Sequence, residues 1–271
     1  MTNTTINTKQ RVVLEISGLT MDFGGIKAID NLELQVTKGE IAALIGPNGA
    51  GKTTFFNCLT GIYTPTAGSM HLYPDDHSKH RLNKLKPNQI TKCGLARTFQ
   101  NIRLFPKMTV LENVMIGHHC RSRAKIFGAI FRDKRTRLEE KRIVDQSYEL
   151  LQKVGLAHMV NEFAANLPYG AQRKLEIARA LATRPSLLLL DEPAAGMNPK
   201  ETDELKKFIF TLRNAGLSIL LIEHDMKLVM ELSNHIFVVD YGKKIAEGNP
   251  EEIRRNPAVI KAYLGEDIDD A

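Results

Sequence analysis

The sequence has few of the features that mark disulfide-stapled, zinc-binding or membrane-spanning proteins. Its 271 residues include three cysteines, which lie far apart and form no C-x-x-C pair. This spacing excludes a disulfide framework and the common zinc motifs, and it indicates a reducing compartment. No apolar run approaches the roughly 20 residues that cross a bilayer, and the polar first residues lack a signal-peptide pattern. We therefore expect a chain that does not itself span a membrane.

The net charge of +6 is concentrated in one short stretch of the chain. Nine basic and three acidic residues lie between Arg121 and Arg142, so this segment accounts for the whole excess. A cluster of this kind can face the phosphate groups of a lipid surface or of nucleic acid. It can equally be a solvated helix face. Apolar residues within 126–131 favour a contact surface.

Short apolar runs, glycine-containing turns and periodic segments alternate along the chain, which predicts an α/β fold. Residues 64–92 are turn-rich and polar and show little periodicity, so no strand or helix is predicted there. In a helix that follows residue 198, Asn198 is the predicted N-cap, with Pro199 at the first position and Glu201 completing a capping box. The pattern predicts a mostly parallel sheet with a helical insertion between its two halves. The predicted strands are Val12–Ile16, Leu32–Val36, Ile41–Ile45, Leu187–Leu190 and Leu217–Ile222. The other predicted helical segments run from Lys52 to about Thr60, from about Val110 to Leu156 and from Ala171 to Ala182.

One glycine-rich segment carries the strongest chemical signal. It fits the pattern G-x-x-x-x-G-K-[ST] and lies between a predicted strand and a predicted helix. Glycine allows backbone N–H groups to point at phosphate oxygens, and the helix presents its positive end to the anion. The lysine reaches the β- and γ-phosphates in such loops, and the hydroxyl after it takes a Mg²⁺ position. We predict that ATP or another nucleoside triphosphate binds, with Mg²⁺, at Gly46, Pro47, Asn48, Gly49, Ala50, Gly51, Lys52, Thr53 and Thr54.

A pair of acids ends the predicted strand Leu187–Leu190. Asp191 is placed to hold Mg²⁺, and Glu192 beside it is the candidate general base for an attacking water. His224 follows the next predicted strand, and adjacent parallel strands end on the same edge of a sheet. We therefore expect His224 near Glu192 and the γ-phosphate, although a single histidine is more often a structural hydrogen-bond donor.

Further candidates rest on weaker signals. The amide of Gln100 can bridge the metal or the water. Phe23 either stacks on the nucleobase or is a core aromatic residue. A group containing His71, His77 and His80 resembles a metal cluster only loosely, and a polar hairpin accounts for it better. Cys58 is expected to be a small core residue.

With these elements in order, nearly the whole chain resembles the ATP-binding cassette family of transport ATPases. The order is an aromatic residue, the phosphate loop, Gln100, a signature stretch, Asp191-Glu192 and His224. The resemblance implies that two cassettes close head to tail. Each nucleotide is then held by the phosphate loop of one cassette and the signature of the other. In this chain the signature residues acting on the partner's nucleotide are Pro168, Tyr169, Gly170, Ala171 and Gln172.

The signature departs from the usual L-S-G-G-Q of the family. Pro168 replaces the serine whose hydroxyl contacts the partner's γ-phosphate, whereas Gly170 remains. A second departure is Asn198, which stands where an aspartate is usual. We therefore expect a heterodimer in which the site completed by this signature hydrolyses more slowly.

Five stretches resemble the ATPase subunits of high-affinity branched-chain amino-acid importers, in particular the larger of their two paired ATPases. They are Ala96–Pro106, Thr109–Val114, Leu167–Gly170, Leu175–Leu181 and Ala262–Gly265. This finer resemblance implies an ATP-driven motor at the cytoplasmic face of the inner membrane. Two transmembrane permease subunits would be its direct partners and a periplasmic amino-acid binding protein an indirect one, with no role for nucleic acid. The implied organisation of the single domain is a catalytic core with an N-terminal antiparallel β subdomain (11–92 and 183–248), an inserted helical signature subdomain (93–182) and a helical tail (249–271).

Two other functions share this catalytic core. An exporter or lipid-extracting ATPase has the same cassette residues, so only the finer resemblance argues against it. A soluble cassette ATPase acting on DNA or ribosomes typically carries two cassettes or a long coiled coil, and neither fits in 271 residues. A GTPase is disfavoured because no N-K-x-D motif is present; Asn83–Lys86 fails at its last position.

Overall fold

A computed structural model describes residues 11–121 and 134–264 of the chain. Its strands form two sheets, one antiparallel with four strands and one mostly parallel with six. In chain order they are β1 (Val12–Phe23), β2 (Ile26–Thr37), β3 (Ile41–Ile45), β4 (Ala67–Leu72), β5 (His80–Arg81), β6 (Leu95–Arg97), β7 (Leu187–Asp191), β8 (Ser218–Ile222), β9 (His235–Asp240) and β10 (Lys243–Gly248).

The smaller sheet has the order β2-β1-β4-β5, and its recorded pairs are antiparallel. The larger sheet has the order β10-β9-β3-β8-β7-β6, in which all pairs are parallel except the hairpin of β9 and β10. Helices occupy the long connection between β6 and β7. The predicted α/β fold, with an antiparallel β part and a helical insertion in a mostly parallel sheet, is confirmed.

The described helices lie between and after the strands along the chain. They are α1 (Lys52–Leu59), α2 (Pro87–Cys93), α3 (Val110–His118), α4 (Lys134–Lys153), α5 (Tyr169–Ala182), α6 (Pro199–Asn214), α7 (Met226–Leu232), α8 (Pro250–Arg254) and α9 (Pro257–Leu264), with short 3-10 turns at His119–Arg121, Ala157–Met159 and Ala164–Asn166. Across residues 11–121 and 134–264, none of these helices has the length and apolar character needed to span a membrane.

The core lies on both faces of the larger sheet. All five residues of β3 are buried, and they alternate between two apolar clusters because successive side chains of a strand point to opposite faces. One cluster joins the sheet to the helices α3, α5, α6 and α7, and the other joins it to α1 and the antiparallel sheet. A parallel sheet covered on both faces has near-continuous apolar strands, as the leucine run of β7 shows.

Several boundaries differ from the predicted ones. β1 continues to Phe23 and β2 begins at Ile26, because shifts in register let their pairing continue past Gly18. Residues 64–92, whose low periodicity predicted no element, contain β4, β5 and α2 between turns. β4 has little intrinsic strand propensity and is a strand because it pairs with β1. The predicted helical region between residues 110 and 156 consists of α3, a 3-10 turn and α4, separated by residues outside the described ranges.

The capping box at the start of α6 forms as predicted. The Asn198 side chain accepts a hydrogen bond from the Glu201 N–H, and the Glu201 carboxylate accepts one from the Asn198 N–H, each at 3.0 Å. Four apolar side chains of α6 are buried on one face: Leu205, Phe208, Ile209 and Leu212.

Candidate active site

The phosphate loop leaves β3 at Gly46 and enters α1 at Lys52. Gly49 and Gly51 have φ angles of 82° and 100°, in the region that favours glycine. A Cβ at Gly51 would overlap the carbonyl oxygen of Ala28, so this position admits glycine only. The remaining predicted loop residues, Pro47, Asn48 and Ala50, complete the turn between the strand and the helix.

Lys52 bends back over this loop. Its Nζ donates to the carbonyl oxygens of Gly46 at 2.6 Å and Pro47 at 2.8 Å. Burial lowers the pKa of Lys52, and the nearby negative charge of Glu192 acts in the opposite direction. The helix α1 has no side-chain cap and no acid in its first turn, so its positive end is not neutralised. An ammonium group and an uncapped helix N-terminus therefore meet at the loop, and both favour a bound phosphate.

Asp191 is the last residue of β7, and its side chain is 7% exposed. Arg97, the last residue of the neighbouring strand β6, donates from Nη2 to Oδ2 of Asp191 at 2.6 Å. A buried carboxylate is costly without such a partner. The predicted metal ligand is therefore held by an arginine to which the sequence analysis gave no role.

Gln100, Glu192 and His224 meet at one edge of the larger sheet. Nε2 of Gln100 donates to Oε2 of Glu192 at 2.8 Å, and Nδ1 of His224 lies 3.6 Å from the same oxygen. The three residues follow β6, β7 and β8, which are parallel neighbours whose carboxyl ends share an edge. Glu192 has a φ of 45°, a conformation that costs a non-glycine residue about 1–3 kcal/mol and clusters at active sites. The structure thus brings the three predicted catalytic residues together.

A buried glutamate organises the loops around these residues. Glu223 is 1% exposed; its Oε1 accepts from the N–H of Ala194 at 3.0 Å, and its Oε2 accepts from the N–H of His224 at 3.3 Å. Burial raises the pKa of Glu223, and the two backbone donors oppose that rise. Glu223 therefore ties the loop after Glu192 to the segment that carries His224.

The donor atoms near the phosphate loop are of the kind that magnesium takes. Thr53 is an exposed residue at the start of α1 and carries a hydroxyl, and Asp191 supplies a carboxylate. Gln100 uses its amide nitrogen toward Glu192, so its amide oxygen is not engaged by that contact. Because Mg²⁺ is bound through one or two carboxylates together with substrate phosphates, this set of oxygen donors fits the ion.

The predicted signature segment starts α5. Pro168 is the N-cap residue, and its side chain makes no cap hydrogen bond. The Tyr169 hydroxyl donates to the carbonyl oxygen of Ala195 at 2.9 Å, and a Cβ at Gly196 would lie 3.4 Å from the Tyr169 ring. Tyr169 therefore joins the signature to the loop that follows Glu192.

The rest of the signature lies in the first turn of α5. Gly170 is buried, and a Cβ there would lie 2.8 Å from the Glu201 carboxylate. Ala171 is partly buried against the core, and Nε2 of Gln172 donates to the carbonyl oxygen of Leu167 at 2.8 Å. A larger residue at Gly170 would therefore require the Glu201 side chain to move.

The next turn of α5 holds the Gln100 loop through a buried ion pair. Arg173 and Glu176 are 0% and 2% exposed, and Nη1 of Arg173 lies 2.9 Å from Oε2 of Glu176. The guanidinium donates to the carbonyl oxygens of Phe99 at 2.6 Å and Gln100 at 2.8 Å. Oε1 of Glu176 accepts from the backbone N–H groups of Phe99 and Arg103. The signature helix and the Gln100 loop are therefore one connected unit.

Phe23 ends β1 with 43% of its surface exposed and packs edge-on against Tyr63, with ring centroids 5.3 Å apart. The core alternative for Phe23 is therefore wrong, and the nucleobase interpretation stays a prediction. Cys58 is fully buried in the core, as predicted, and burial raises its pKa to about 12.

The histidine-rich stretch forms a polar hairpin. His71 lies on β4 and His80 on its neighbour β5, and the part of the chain that the structure covers holds no cluster suited to a metal ion. Most of the basic segment, from residue 122 to residue 133, lies outside the described residues, so both interpretations of it stay open. Its final part belongs to α4, where Arg137 is exposed.

The mostly parallel sheet, the phosphate loop and the acids that end β7 define a nucleotide-binding P-loop domain. A family profile described as ABC transporter matches residues 29–195, and one described as branched-chain amino acid ATP-binding cassette transporter matches residues 243–269. The chain belongs to the ABC transporter family, and it is an ATPase cassette of that family. The resemblance noted from the sequence is confirmed.

Two relatives match nearly the whole chain. The high-affinity branched-chain amino acid transport ATP-binding protein BraF of Pseudomonas aeruginosa is 48% identical over 94% of this chain and 99% of its own length. The protein LivG of Escherichia coli, described in the same words, is 49% identical over 94% of this chain and 98% of its own. A crystal structure of an ATP-binding cassette of an ABC transporter in its ADP conformation matches with a TM-score of 0.79 and 29% identity, covering 94% of this chain and 99% of that one.

Four residues that shape the site have no role indicated by a motif in the sequence: Arg97, Arg173, Glu176 and Glu223. All four are charged residues with little or no exposure, held in place by partners distant in sequence, such as Asp191 for Arg97. One available signal was a charge placed inside an otherwise apolar segment, as in the run Gly94-Leu-Ala-Arg97. A buried charge needs a partner, but the spacing alone does not identify which one.

Proposed function

We propose that this chain is an ATP-hydrolysing motor subunit of a membrane importer for branched-chain amino acids. The observation that carries the hydrolytic part is the meeting of Gln100, Glu192 and His224 beside Lys52. The substrate class rests on the relatives, which are named for high-affinity branched-chain amino acid transport, and on the matching profile for residues 243–269.

In the proposed reaction Glu192 acts as the general base. Its carboxylate accepts a proton from water as the water oxygen attacks the γ-phosphorus, and the bond from the γ-phosphorus to ADP breaks. Gln100 is in hydrogen-bond contact with that carboxylate and orients it and the water. His224 donates to a γ-phosphate oxygen, and Lys52 leaves the loop carbonyls to bind the β- and γ-phosphates.

The residues that would hold magnesium are Thr53, Asp191 and Gln100. A bound Mg²⁺ supplies neutralisation of the charge that develops on the β- and γ-phosphates. The Phe23 ring, exposed at the end of β1, is the proposed stacking surface for the nucleobase.

A second cassette completes each site in this proposal. The partner's signature closes over the phosphate loop of this chain, and the segment Pro168–Gln172 closes over the partner's nucleotide. Because α5 starts at Tyr169 without a side-chain cap, its backbone N–H groups can meet a γ-phosphate. Pro168 lacks the hydroxyl of the usual serine, which supports a heterodimer of unequal sites.

The transported substrate is handled by other chains. Closure of the cassette pair on ATP drives alternating access in two transmembrane permease subunits, and hydrolysis resets it. The motor would act at the cytoplasmic face of the inner membrane, where a periplasmic binding protein delivers the amino acid to the far side of the permease.

The substrate assignment is tested by co-expressing the chain with candidate permease and partner-cassette genes and measuring ATP hydrolysis in membranes. Leucine-loaded binding protein is expected to stimulate turnover, Glu192→Gln is expected to abolish it, and Glu33→Gln, at an exposed position of β2, is expected to leave it unchanged. If ATP turnover depends on Glu192 but is not stimulated by loaded binding protein, the motor function is supported and the proposed substrate class is contradicted.

The asymmetry is tested by substituting the catalytic glutamate in one cassette at a time. Glu192 acts with the partner's signature, so Glu192→Gln is expected to cost more turnover than the matching substitution in the partner. Equal losses from the two single variants would contradict the unequal sites.

A further inference from the structure

Arg97 occupies the space between the helix that follows the phosphate loop and the strand that ends in Asp191. Its side chain is 5% exposed, and Nη2 lies 2.6 Å from Oδ2 of Asp191. Nη1 donates to Oδ1 of Asn57 at 2.8 Å and to Oγ1 of Thr60 at 3.2 Å. One guanidinium group therefore connects α1, β6 and β7.

Two aromatic rings enclose this guanidinium. Its Cζ lies 5.4 Å from the centroid of Phe56 and 5.0 Å from that of Phe99. Nε is buried and makes no hydrogen bond to the described residues. Exclusion of water strengthens the interaction with Asp191, because charges attract more strongly in a less polar medium.

The contacts on α1 are on the face that carries the predicted metal ligand. Thr53, Asn57 and Thr60 are spaced by four and three residues, which places them along one side of the helix. Arg97 thus binds Asn57 and Thr60, one and two turns after Thr53, and it also binds Asp191. It links the elements that carry Thr53 and Asp191, two of the three proposed magnesium ligands.

We propose that Arg97 is a positioning residue of the magnesium site, which fixes the Asp191 carboxylate relative to α1 before the metal arrives. The inference rests on the proposed binding of Mg²⁺ with the nucleotide. Arg97 holds Asp191 through Oδ2, and the contact leaves Oδ1 outside the ion pair. Partners that orient metal ligands in this way are worth about 10–100-fold in metal affinity or activity.

A purely structural ion pair predicts a different result. In that case removal of Arg97 lowers the stability of the fold and leaves the magnesium dependence of nucleotide binding unchanged. The two roles are therefore separated by the magnesium concentration at which half of the magnesium-dependent increase in nucleotide affinity is reached. This concentration does not depend on hydrolysis.

The experiment follows binding of a fluorescent ATP analogue to the full chain, in EDTA and across a magnesium titration. Arg97→Gln is expected to raise the half-saturating magnesium concentration by about 10–100-fold, with affinity in EDTA unchanged. Arg97→Lys is expected to have a smaller effect, because it keeps the charge and loses the fork that reaches both Asp191 and α1. Arg103→Gln is the matched control, because that exposed side chain stacks on the same Phe99 ring at 4.4 Å.

The outcomes separate the inference from the function on which it rests. A wild-type chain that binds the analogue equally with and without magnesium would contradict the metal site itself. If the wild-type chain responds to magnesium and both Arg97→Gln and Arg97→Lys respond in the same way, the role of Arg97 is overturned and the magnesium site is retained. If Arg97→Gln does not fold, Arg97→Lys and Asn57→Ala take its place. Asn57→Ala removes one acceptor of the guanidinium. Both variants are expected to raise the half-saturating magnesium concentration.

Discussion

Two buried ion pairs each join a guanidinium group to a carboxylate, but they use these groups in different ways. One is Arg97–Asp191, next to the phosphate loop, and the other is Arg173–Glu176, in the helix that starts with the signature. Both are almost completely buried. Arg173 and Glu176 lie one turn apart on α5 and bind the backbone of the Gln100 loop on both sides. Arg97 instead joins three separate elements and binds Asp191 through a single oxygen.

The two pairs differ in whether the carboxylate keeps an oxygen that another ligand can bind. In the pair below the signature, both carboxylate oxygens of Glu176 accept protein donors, so the pair works as a clamp. In the pair below the phosphate loop, the arginine supports a carboxylate that is proposed to bind a metal. A buried ion pair is thus not evidence of chemistry by itself, and its contacts decide whether it stabilises the fold or prepares a site.

The largest expected effect on stability comes from breaking the clamp. Arg173→Met leaves Glu176 buried without its counter-charge, which is expected to lower the free energy of unfolding by about 3–5 kcal/mol. Urea unfolding measures the loss. Lys174→Met is the matched control on the same helix, because its pair with Glu204 is partly exposed and pairs of that kind contribute about 0–1 kcal/mol. A similar small loss in both variants would show that the clamp is not a distinct structural unit.

A change on the phosphate-loop side is expected to affect binding rather than stability. Lys52→Met removes charge-assisted hydrogen bonds to phosphate worth about 1.5–3 kcal/mol, equivalent to roughly 10–150-fold in nucleotide affinity. Titration with a fluorescent ATP analogue measures this loss, and Lys38→Met, at an exposed position, is the control. Unchanged affinity in Lys52→Met would contradict the assignment of the loop as the phosphate site.

The smallest effect is expected where the signature meets the loop after Glu192. Tyr169→Phe removes the hydroxyl that donates to Ala195 and keeps the ring, at a cost of about 0.5–1.5 kcal/mol in unfolding free energy. Tyr241→Phe is the control, because Tyr241 is 84% exposed. Equal stability of these two variants would indicate that the Tyr169 contact contributes nothing to the fold.

Local signals in the sequence were enough to predict much of the active site. The phosphate loop and the capping box at Asn198 depend on residues within a few positions of each other, and both form as expected. The meeting of Glu192 and His224 followed from the rule that parallel strands end at one edge. These features required no knowledge of side-chain packing.

The parts that sequence reasoning missed depend on contacts between distant residues. Arg97 and Asp191 are 94 positions apart, and Glu223 is 29 positions from Ala194, whose N–H donates a hydrogen bond to its carboxylate. β4, with the sequence Ala-Gly-Ser-Met-His-Leu, is a strand because of its pairing with β1 rather than its own propensity. Such features are fixed by tertiary packing, which periodicity and spacing do not reveal.

The most direct test of Glu192 as the general base measures what happens to ATP at its site. The assembled complex is incubated with ATP and magnesium, filtered, and the retained nucleotide is separated into ATP and ADP. With Glu192→Gln, ATP is expected to be retained and hydrolysis to slow by about 10²–10⁴-fold, because the general base is lost while Lys52 and the phosphate loop remain. ADP formation at the wild-type rate in that variant would contradict the role of Glu192 as the general base.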